Sequence, residues 1–311
     1  MKDLTILVPV FNEQDAISLF LNTVNPILQG IDISYEYLFI DDGSCDDTLK
    51  IIKEQTAKYD NINYISLSRN FGKEAALLCG IKNTSSKALI PMDIDLQDPP
   101  DLIPAFIEKW KQGYNMVLGV RKNRASDTAL KKFTASCFYK IHNTFAIRPI
   151  PENTGDFRLI DNSVINAIKQ INESTLFMKG LFNWAGFKTT SVEYIRPKRA
   201  TGESKWSYWK LWNFALDGIF NASTIPLRLW TYAGAVVAFI SFLYAAVIIL
   251  KVFLFGKDTP GYASLAILVL FFGGIQLIAI GVLGEYIGRI FTEVKHRPAY
   301  IIKEQKINSN C

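Results

Sequence analysis

Short apolar runs alternate with amphipathic segments along the first hundred residues of the chain. The apolar runs are Leu4–Val10, Tyr35–Ile40, Asn63–Leu67 and Ala88–Met92, and their β-branched and aromatic residues predict strands buried on both faces. The segments between them have helical spacing and predict helices over 14–28, 47–59 and 73–82. This alternation predicts an α/β fold with a doubly wound, Rossmann-like sheet and helices on both faces.

The pattern is less regular after residue 110. Residues 110–121 indicate a helix end, a turn and a strand, and residues 123–143 are basic and partly helical. We expect a loop over 152–159, a helix over 161–171 and a late strand over 189–195. Polar residues follow several of the predicted strands, at the positions where open α/β sheets bind their ligands.

Two long uncharged stretches, Leu229–Leu250 and Tyr262–Leu283, dominate the C-terminal third. Each has about the 20 residues that a transmembrane helix needs, and a short loop joins them into a hairpin. A buried hairpin in a soluble core is the alternative, which two such runs make improbable. Basic residues on the outer flanks outnumber the single Lys257 of the loop, so the positive-inside rule places both ends in the cytoplasm.

Residues 204–220 form an aromatic-rich amphipathic segment just before the first apolar stretch. The position favours a helix at the membrane interface over an ordinary core helix. We therefore expect a cytoplasmic domain over 1–200 and an interface segment over 201–228. Two transmembrane helices over 229–290 and a cytoplasmic tail over 291–311 complete the predicted chain.

Composition narrows the choice of function. The net charge of +5 is modest and on its own is compatible with a nucleic acid, an anionic membrane surface or neither. We expect no nucleic-acid partner. The four cysteines lack C-x-x-C spacing and the chain has only two histidines, which argues against a zinc site or a disulfide framework. The N-terminus has too short an apolar stretch for a signal peptide.

Candidate metal chemistry lies in the run "DIDLQDPP", directly after an apolar strand. In an extended chain Asp93 and Asp95 point to the same side, and Gln97 continues the alternation. Two or three oxygen ligands completed by substrate phosphates are typical of a Mg²⁺ or Mn²⁺ site. A D-x-D pair alone is weak evidence, and its position at the end of a strand strengthens it.

Other motifs accompany this run along nearly the whole chain. They are "VPVFNE" at 8–13, "IDDGS" at 40–44, "RNFGK" at 69–73, "TGDFRL" at 154–159 and "RATGESKW" at 199–206. Together they resemble the family-two inverting glycosyltransferases, whose nucleotide-binding domain has the GT-A fold. The chain looks most like the polyprenyl-phosphate sugar transferases, which include dolichyl-phosphate mannose synthases and bacterial bactoprenol glucosyltransferases.

The resemblance implies a role for each matching position. Asp95, Asp156 and Arg121 would be catalytic, with Asp156 acting as a base or orienting the acceptor, and Asp93, Asp95 and Gln97 would hold the metal. The nucleotide sugar would bind at Pro9, Glu13, Asp41, Asp42 and Asp93. The acceptor phosphate would bind at Arg124, Lys131, Arg199, Ser204 and Lys205.

The resemblance also implies the reaction. We expect transfer of a hexose, with glucose from UDP-glucose as the first choice, to undecaprenyl phosphate at the cytoplasmic face of a bacterial inner membrane, with inversion. Membrane lipids and a homo-oligomer are further expected partners, with a flippase and a periplasmic glycosyltransferase downstream. Alternatives are another sugar, or a catalytically silent scaffold that binds nucleotide. The sequence contains neither the Q-x-x-R-W motif of processive polysaccharide synthases nor the G-x-G-x-x-G motif of Rossmann oxidoreductases, which argues against both classes.

Overall fold

A single mixed sheet of eight strands organises the N-terminal domain and also includes a strand from the C-terminus. The structure, a computed structural model, describes residues 2–122, 154–171, 173, 178–195, 225–256 and 261–307. The sheet order is β7-β5-β6-β4-β1-β2-β3-β8. The strands are β1 (Leu4–Val10), β2 (Tyr35–Asp41), β3 (Ile62–Leu67), β4 (Ala88–Pro91), β5 (Met116–Arg121), β6 (Thr154–Asp161), β7 (Thr189–Tyr194) and β8 (Ile302–Lys306).

Helices cover both faces of this sheet, as the alternation of elements predicts. They are α1 (Ile17–Gln29), α2 (Thr48–Lys58), α3 (Lys73–Asn83), α4 (Ile103–Lys111), α5 (Asn162–Lys169) and α6 (Met178–Ala185). Leu4, Ile6 and Val8 of β1 pack with α1, α2 and α4 in one apolar cluster. Leu7 of the same strand packs with α3, α5 and α6 in the other. Successive side chains of a strand point to opposite faces, which explains the two cores.

The centre of the sheet confirms the predicted doubly wound arrangement. β4, β1, β2 and β3 are parallel neighbours, with Val10 opposite Asp41 and Leu7 opposite Pro91. Beyond β4 the sheet becomes mixed, because β6 runs antiparallel to both β4 and β5, and β5 is parallel to β7.

The expected loop over 152–159 is wrong, because residues 154–161 form β6 in the middle of the sheet. Its polar residues hide the strand from a pattern of apolar alternation. Arg158 is buried, donates to the carbonyl of Gly155 at 2.7 Å, and its guanidinium lies 4.8 Å from the ring centre of Phe182. Pairing with β4 and β5 and this buried cation–π contact stabilise β6, although its sequence lacks the apolar alternation of a strand.

Two long helices follow, α7 (Ile225–Phe255) and α8 (Tyr262–Val294). They have 31 and 33 residues, so each is about 45–50 Å long at 1.5 Å per residue. Among the described side chains, Phe271–Val294 is long and apolar enough to cross a membrane, and Tyr232–Tyr244 is a shorter apolar stretch. Phe242 and Phe253 of α7 are more than three-quarters exposed.

The chain returns to the sheet after α8, which the sequence did not predict. β8 pairs antiparallel with β3, with Ser66 opposite Glu304. Tyr300, Ile302 and Ile307 pack against the core that contains α3. The Lys53 ammonium binds Glu304 at 2.8 Å. Residues 299–307 therefore attach the C-terminal end of the hairpin to the N-terminal domain.

Candidate active site

The polar motifs converge at the carboxyl ends of the parallel strands. β2 ends in Asp41, and Asp93 comes two residues after the end of β4. β1 lies between these strands and leads into the loop that contains Glu13. Pro9 is part of β1 and lies opposite Ile40 of β2. This edge is where open α/β sheets bind ligands, so the predicted nucleotide-sugar residues share one face of the domain.

The two aspartates of the "IDDGS" motif are buried and hold neighbouring loops in place. Asp41 accepts hydrogen bonds from the Ser66 hydroxyl at 2.8 Å and from the Ser44 backbone N–H at 3.0 Å. Asp42 accepts from the backbone N–H groups of Phe71 at 2.7 Å and Gly72 at 2.9 Å. Burial raises the pKa of Asp42 above its ordinary value, although both of these bonds oppose the rise.

Glycine is required in the middle of this arrangement. Gly43 has a φ of +72°, and a Cβ there would lie 2.5 Å from the carbonyl carbon of Arg69. The loop after β2 and the loop after β3 thus touch at the backbone. Asn12, in the loop after β1, contacts the loop after β2, since its N–H donates to the Ser44 hydroxyl at 2.9 Å. The loops after β1, β2 and β3 therefore contact one another in series on this side of the candidate site.

One lysine joins the metal-binding motif to the candidate catalytic aspartate. The Lys73 ammonium lies 2.7 Å from Asp93 Oδ1 and 2.8 Å from Asp156 Oδ2. Burial lowers the pKa of Lys73, but the charges of Asp93 and Asp156 outweigh it and raise the pKa above its ordinary value. The sequence alone indicates no role for the "RNFGK" motif. In the structure its lysine contacts both aspartates.

Arg121 lies beside the same aspartate. It ends β5, and the neighbouring β6 begins with Thr154 opposite Val120. A Cβ on Gly155 would lie 3.2 Å from Arg121 Nη2, so the start of β6, next to Asp156, packs on the guanidinium. Sequence reasoning thus placed Asp93, Asp156 and Arg121 in one site, and the structure brings all three together.

The metal-binding run does not have the extended geometry that the sequence suggested. β4 ends at Pro91, and Leu96 has a φ of +55°, so Asp95 lies in a turn. The backbone N–H of Gln97 donates to Asp95 Oδ1 at 3.2 Å, and Gln97 is buried. The argument from strand alternation is therefore wrong, while the three residues still lie within one short turn.

The donor set fits a hard divalent ion that keeps other ligands. Among the described residues no group of three or more His, Cys, Asp or Glu side chains is arranged to hold a metal. Two carboxylates and one amide oxygen suit Mg²⁺ or Mn²⁺ when phosphate oxygens and waters complete the coordination. Lys73 contacts both oxygens of Asp93, at 2.7 and 2.9 Å, and so competes for this ligand.

Two further residues were missed by sequence reasoning. The Tyr194 hydroxyl donates to Asp98 Oδ1 at 3.0 Å, and Arg121 Nε donates to the same hydroxyl at 3.2 Å. Burial, followed by the charge of Asp93, raises the pKa of Asp98 to about 6.

The proposed acceptor-phosphate residues lie outside the described residues: Arg124, Lys131, Arg199, Ser204 and Lys205. Most of the predicted interface segment, 201–228, also lies outside them.

Comparisons with known proteins identify the family to which the chain belongs. The profile of glycosyl transferase family 2 matches residues 5–169, and that of the GtrB C-terminal hairpin matches residues 225–290. A bactoprenol glucosyl transferase of Shigella phage SfV is 50% identical over 97% of this chain and 99% of its own. A prophage bactoprenol glucosyl transferase homolog of Escherichia coli K12 is 49% identical over the same shares.

A solved structure is similar at lower identity. Glucosyl-3-phosphoglycerate synthase from Mycobacterium tuberculosis, in complex with Mn²⁺, UDP-glucose and phosphoglyceric acid, is 16% identical, with a TM-score of 0.41 over 65% of this chain and 73% of its own. The two family profiles and the relatives at about 50% identity show that the chain is an enzyme of glycosyl transferase family 2, with a GT-A α/β domain and a C-terminal helical hairpin.

Proposed function

We propose that this enzyme transfers glucose from UDP-glucose to undecaprenyl phosphate, with inversion at the anomeric carbon. The observation that carries the proposal is the Lys73 ammonium, which holds Asp93 of the metal motif and Asp156 of the "TGDF" motif at one point. A donor diphosphate bound at Asp93 and an acceptor bound at Asp156 are then neighbours, as a single displacement requires. The relatives' name, bactoprenol glucosyl transferase, supports the same acceptor and sugar.

Asp93, Asp95 and Gln97 would hold the divalent ion. Bound Mg²⁺ or Mn²⁺ supplies the charge that neutralises the departing nucleoside diphosphate. The loops fixed by Asp41, Asp42 and the Gly43 contact line the nucleotide side of the site. This set of residues supports a nucleotide-sugar donor.

Asp156 and Arg121 carry out the acceptor side of the reaction. A lipid monophosphate has its second pKa near ~6 and is largely ionised at neutral pH, so it needs little help from a base. Asp156 therefore orients the acceptor, and the Arg121 guanidinium beside it holds the phosphate oxygens. The phosphate oxygen attacks the anomeric carbon, the bond to the nucleoside diphosphate breaks, and the configuration is inverted.

The hairpin would keep this site at the cytoplasmic face of a bacterial inner membrane. The sheet receives strands from before α7 and from after α8, so both ends of the hairpin lie with the catalytic domain. A hairpin that crosses the membrane twice has both ends on the same side, and its basic flanks place that side in the cytoplasm. The product, a lipid-linked sugar on the inner leaflet, then requires a flippase and a periplasmic glycosyltransferase that consumes it.

A donor screen tests the proposal. Full-length enzyme in vesicles with undecaprenyl phosphate and Mn²⁺ receives radiolabelled UDP-glucose, UDP-galactose, UDP-N-acetylglucosamine or GDP-mannose. We expect label in the lipid fraction from UDP-glucose, and its loss when EDTA is added. Label from a different donor alone would correct the sugar. Nucleotide binding without lipid labelling from any donor would favour the catalytically silent scaffold.

A further inference from the structure

Two buried side chains and a half-buried arginine, from distant parts of the sequence, form one hydrogen-bond chain beside the candidate active site. Asp98 lies in the turn after β4, Tyr194 ends β7 and Arg121 ends β5. The Tyr194 hydroxyl donates to Asp98 at 3.0 Å and accepts from Arg121 Nε at 3.2 Å. A phenol has one O–H to donate, so these two bonds fix its direction.

Packing fixes the ring of Tyr194 as well as its hydroxyl. Tyr194 and Asp98 are each 5% exposed. The Tyr194 ring meets Phe157 edge to face, with ring centres 6.3 Å apart. A Cβ on Gly119 would lie 3.1 Å from Tyr194 Cε1, so β5 also closes on the ring. The hydroxyl therefore has little freedom to follow a moving guanidinium.

Charge explains why the chain ends in a carboxylate. Asp98 is buried, and a buried charge is stable only when it is paired and hydrogen-bonded. Arg121 supplies the opposite charge across the tyrosine hydroxyl. Arg121 donates to Tyr194 through its Nε–H. The two terminal nitrogens of the guanidinium can form a bidentate contact with a phosphate.

We propose that Tyr194 and Asp98 are positioning residues for Arg121, which they hold against Gly155 at the start of β6 so that its terminal nitrogens face the acceptor phosphate. The inference rests on the proposed function, because that function makes Arg121 the phosphate ligand. Tyr194 and Asp98 touch no reacting atom and act through the guanidinium. The alternative is that this hydrogen-bond chain only stabilises the edge of the sheet. The two hypotheses predict different effects on kcat when substitutions of Tyr194 and Arg121 are combined.

A double-mutant cycle separates positioning from stability. Tyr194→Phe removes the hydroxyl and keeps the ring, and we expect kcat to fall about 10- to 100-fold, as for a misplaced catalytic group, with the KM for the nucleotide sugar nearly unchanged. Arg121→Gln removes the group being positioned. In the Arg121→Gln enzyme, adding Tyr194→Phe is expected to cause no further loss. Equal fold losses in both backgrounds, or an unchanged kcat in Tyr194→Phe, would overturn the proposal.

Tyr37→Phe is the matched control. Tyr37 is also buried, and its hydroxyl donates one side-chain bond, to Asn25 at 2.8 Å. It lies near the start of β2, opposite Ile6, away from the carboxyl ends of the strands. We expect Tyr37→Phe to lower the melting temperature as Tyr194→Phe does and to keep wild-type kcat. A matching loss of kcat in the control would show that the effect is general destabilisation.

An activity-independent readout distinguishes failure of this inference from failure of the proposed function. The ¹⁵Nε–H resonance of Arg121 is assigned by its loss in Arg121→Gln. We expect its exchange with water to be slow in the wild type and at least about tenfold faster in Tyr194→Phe, because the bond and its burial protect it. Equal exchange rates would overturn the positioning role. If the wild type transfers no sugar from UDP-glucose, the proposed function fails and this measurement still decides the inference.

Discussion

The Lys73 ammonium bridges Asp93 and Asp156, with contacts of 2.7 and 2.8 Å. Asp42 holds the loop that presents it, by accepting from the N–H groups of Phe71 and Gly72. The lysine thus occupies the carboxylate that the metal motif offers to a divalent ion. If Asp93 holds the divalent ion as proposed, the donor and its metal would displace the ammonium from Asp93, while Asp156 would remain its partner.

Lys73→Met therefore has opposite effects on metal binding and on transfer. Removing a competing positive charge strengthens the binding of Mn²⁺ to the enzyme without nucleotide, and we expect the Kd to fall about three- to tenfold. Sugar transfer falls at least about tenfold, because a cation is lost beside the diphosphate. Electron paramagnetic resonance of Mn²⁺ measures the first effect and lipid labelling the second.

The control for this variant is Lys87→Met. Lys87 also pairs with a carboxylate, Asp3, at 2.8 Å, but at the amino ends of the strands. Both Mn²⁺ affinity and transfer should match the wild type. Weaker Mn²⁺ binding in Lys73→Met would show that the lysine supports the metal site and does not compete with it.

Asp95→Asn tests the metal motif directly. The change keeps the size and one oxygen of the side chain and removes the charge that attracts a divalent ion. Transfer is expected to fall below about 1% of wild type, while the amount of protein in the membrane fraction is unchanged. Turnover like that of the wild type would refute the metal assignment.

Gly43→Ala tests the interlocked loops on the nucleotide side. Its Cβ would lie 2.5 Å from Arg69 backbone, and its φ of +72° is unfavourable for alanine. Gly113 has a φ of +87° and open space around it, so Gly113→Ala carries the strain without the clash. We expect Gly113→Ala to cost about 1 kcal/mol of unfolding free energy and to keep UDP affinity. Gly43→Ala should cost more and weaken UDP binding at least about tenfold, as measured by calorimetry.

The hairpin predicts the sidedness of three positions. In a chain whose four cysteines are serine, single cysteines replace Lys50, Lys257 or Lys306. We expect a membrane-impermeant maleimide to label the Lys50→Cys and Lys306→Cys chains from one side and the Lys257→Cys chain from the other, because β8 belongs to the catalytic sheet. Labelling of all three from one side would contradict a membrane-spanning hairpin.

The sequence predicts the parallel centre of the sheet well, because its strands are continuous apolar runs such as Leu4–Val10. It fails where polar residues occupy the sheet. Asp156 and Arg158 disguise β6 as a loop, and β8 has almost no buried side chain to announce it. Both strands are defined by neighbours far away in the chain, which a local pattern does not contain.

The candidate site divides in the same way. Asp93, Asp156 and Arg121 were recognisable from motifs, whereas the motif that contains Lys73 does not by itself indicate what the lysine contacts. The role of Tyr194 could not be predicted from the sequence, because its hydrogen-bond partner Asp98 lies 96 positions earlier. The geometry of the metal motif was also mistaken, because the positive φ of Leu96 bends a run that reads as extended. Motifs identify the chemical groups, and the fold determines which of them meet.

The most direct test of the proposed reaction is the structure of its product. Purified enzyme, UDP-glucose, Mn²⁺ and undecaprenyl phosphate are incubated in vesicles, and the lipid product is analysed by mass spectrometry and by the proton coupling of its anomeric carbon. The account predicts a single hexosyl undecaprenyl monophosphate in the β configuration. An α-linked product, or consumption of UDP-glucose without any lipid-linked sugar, would contradict it.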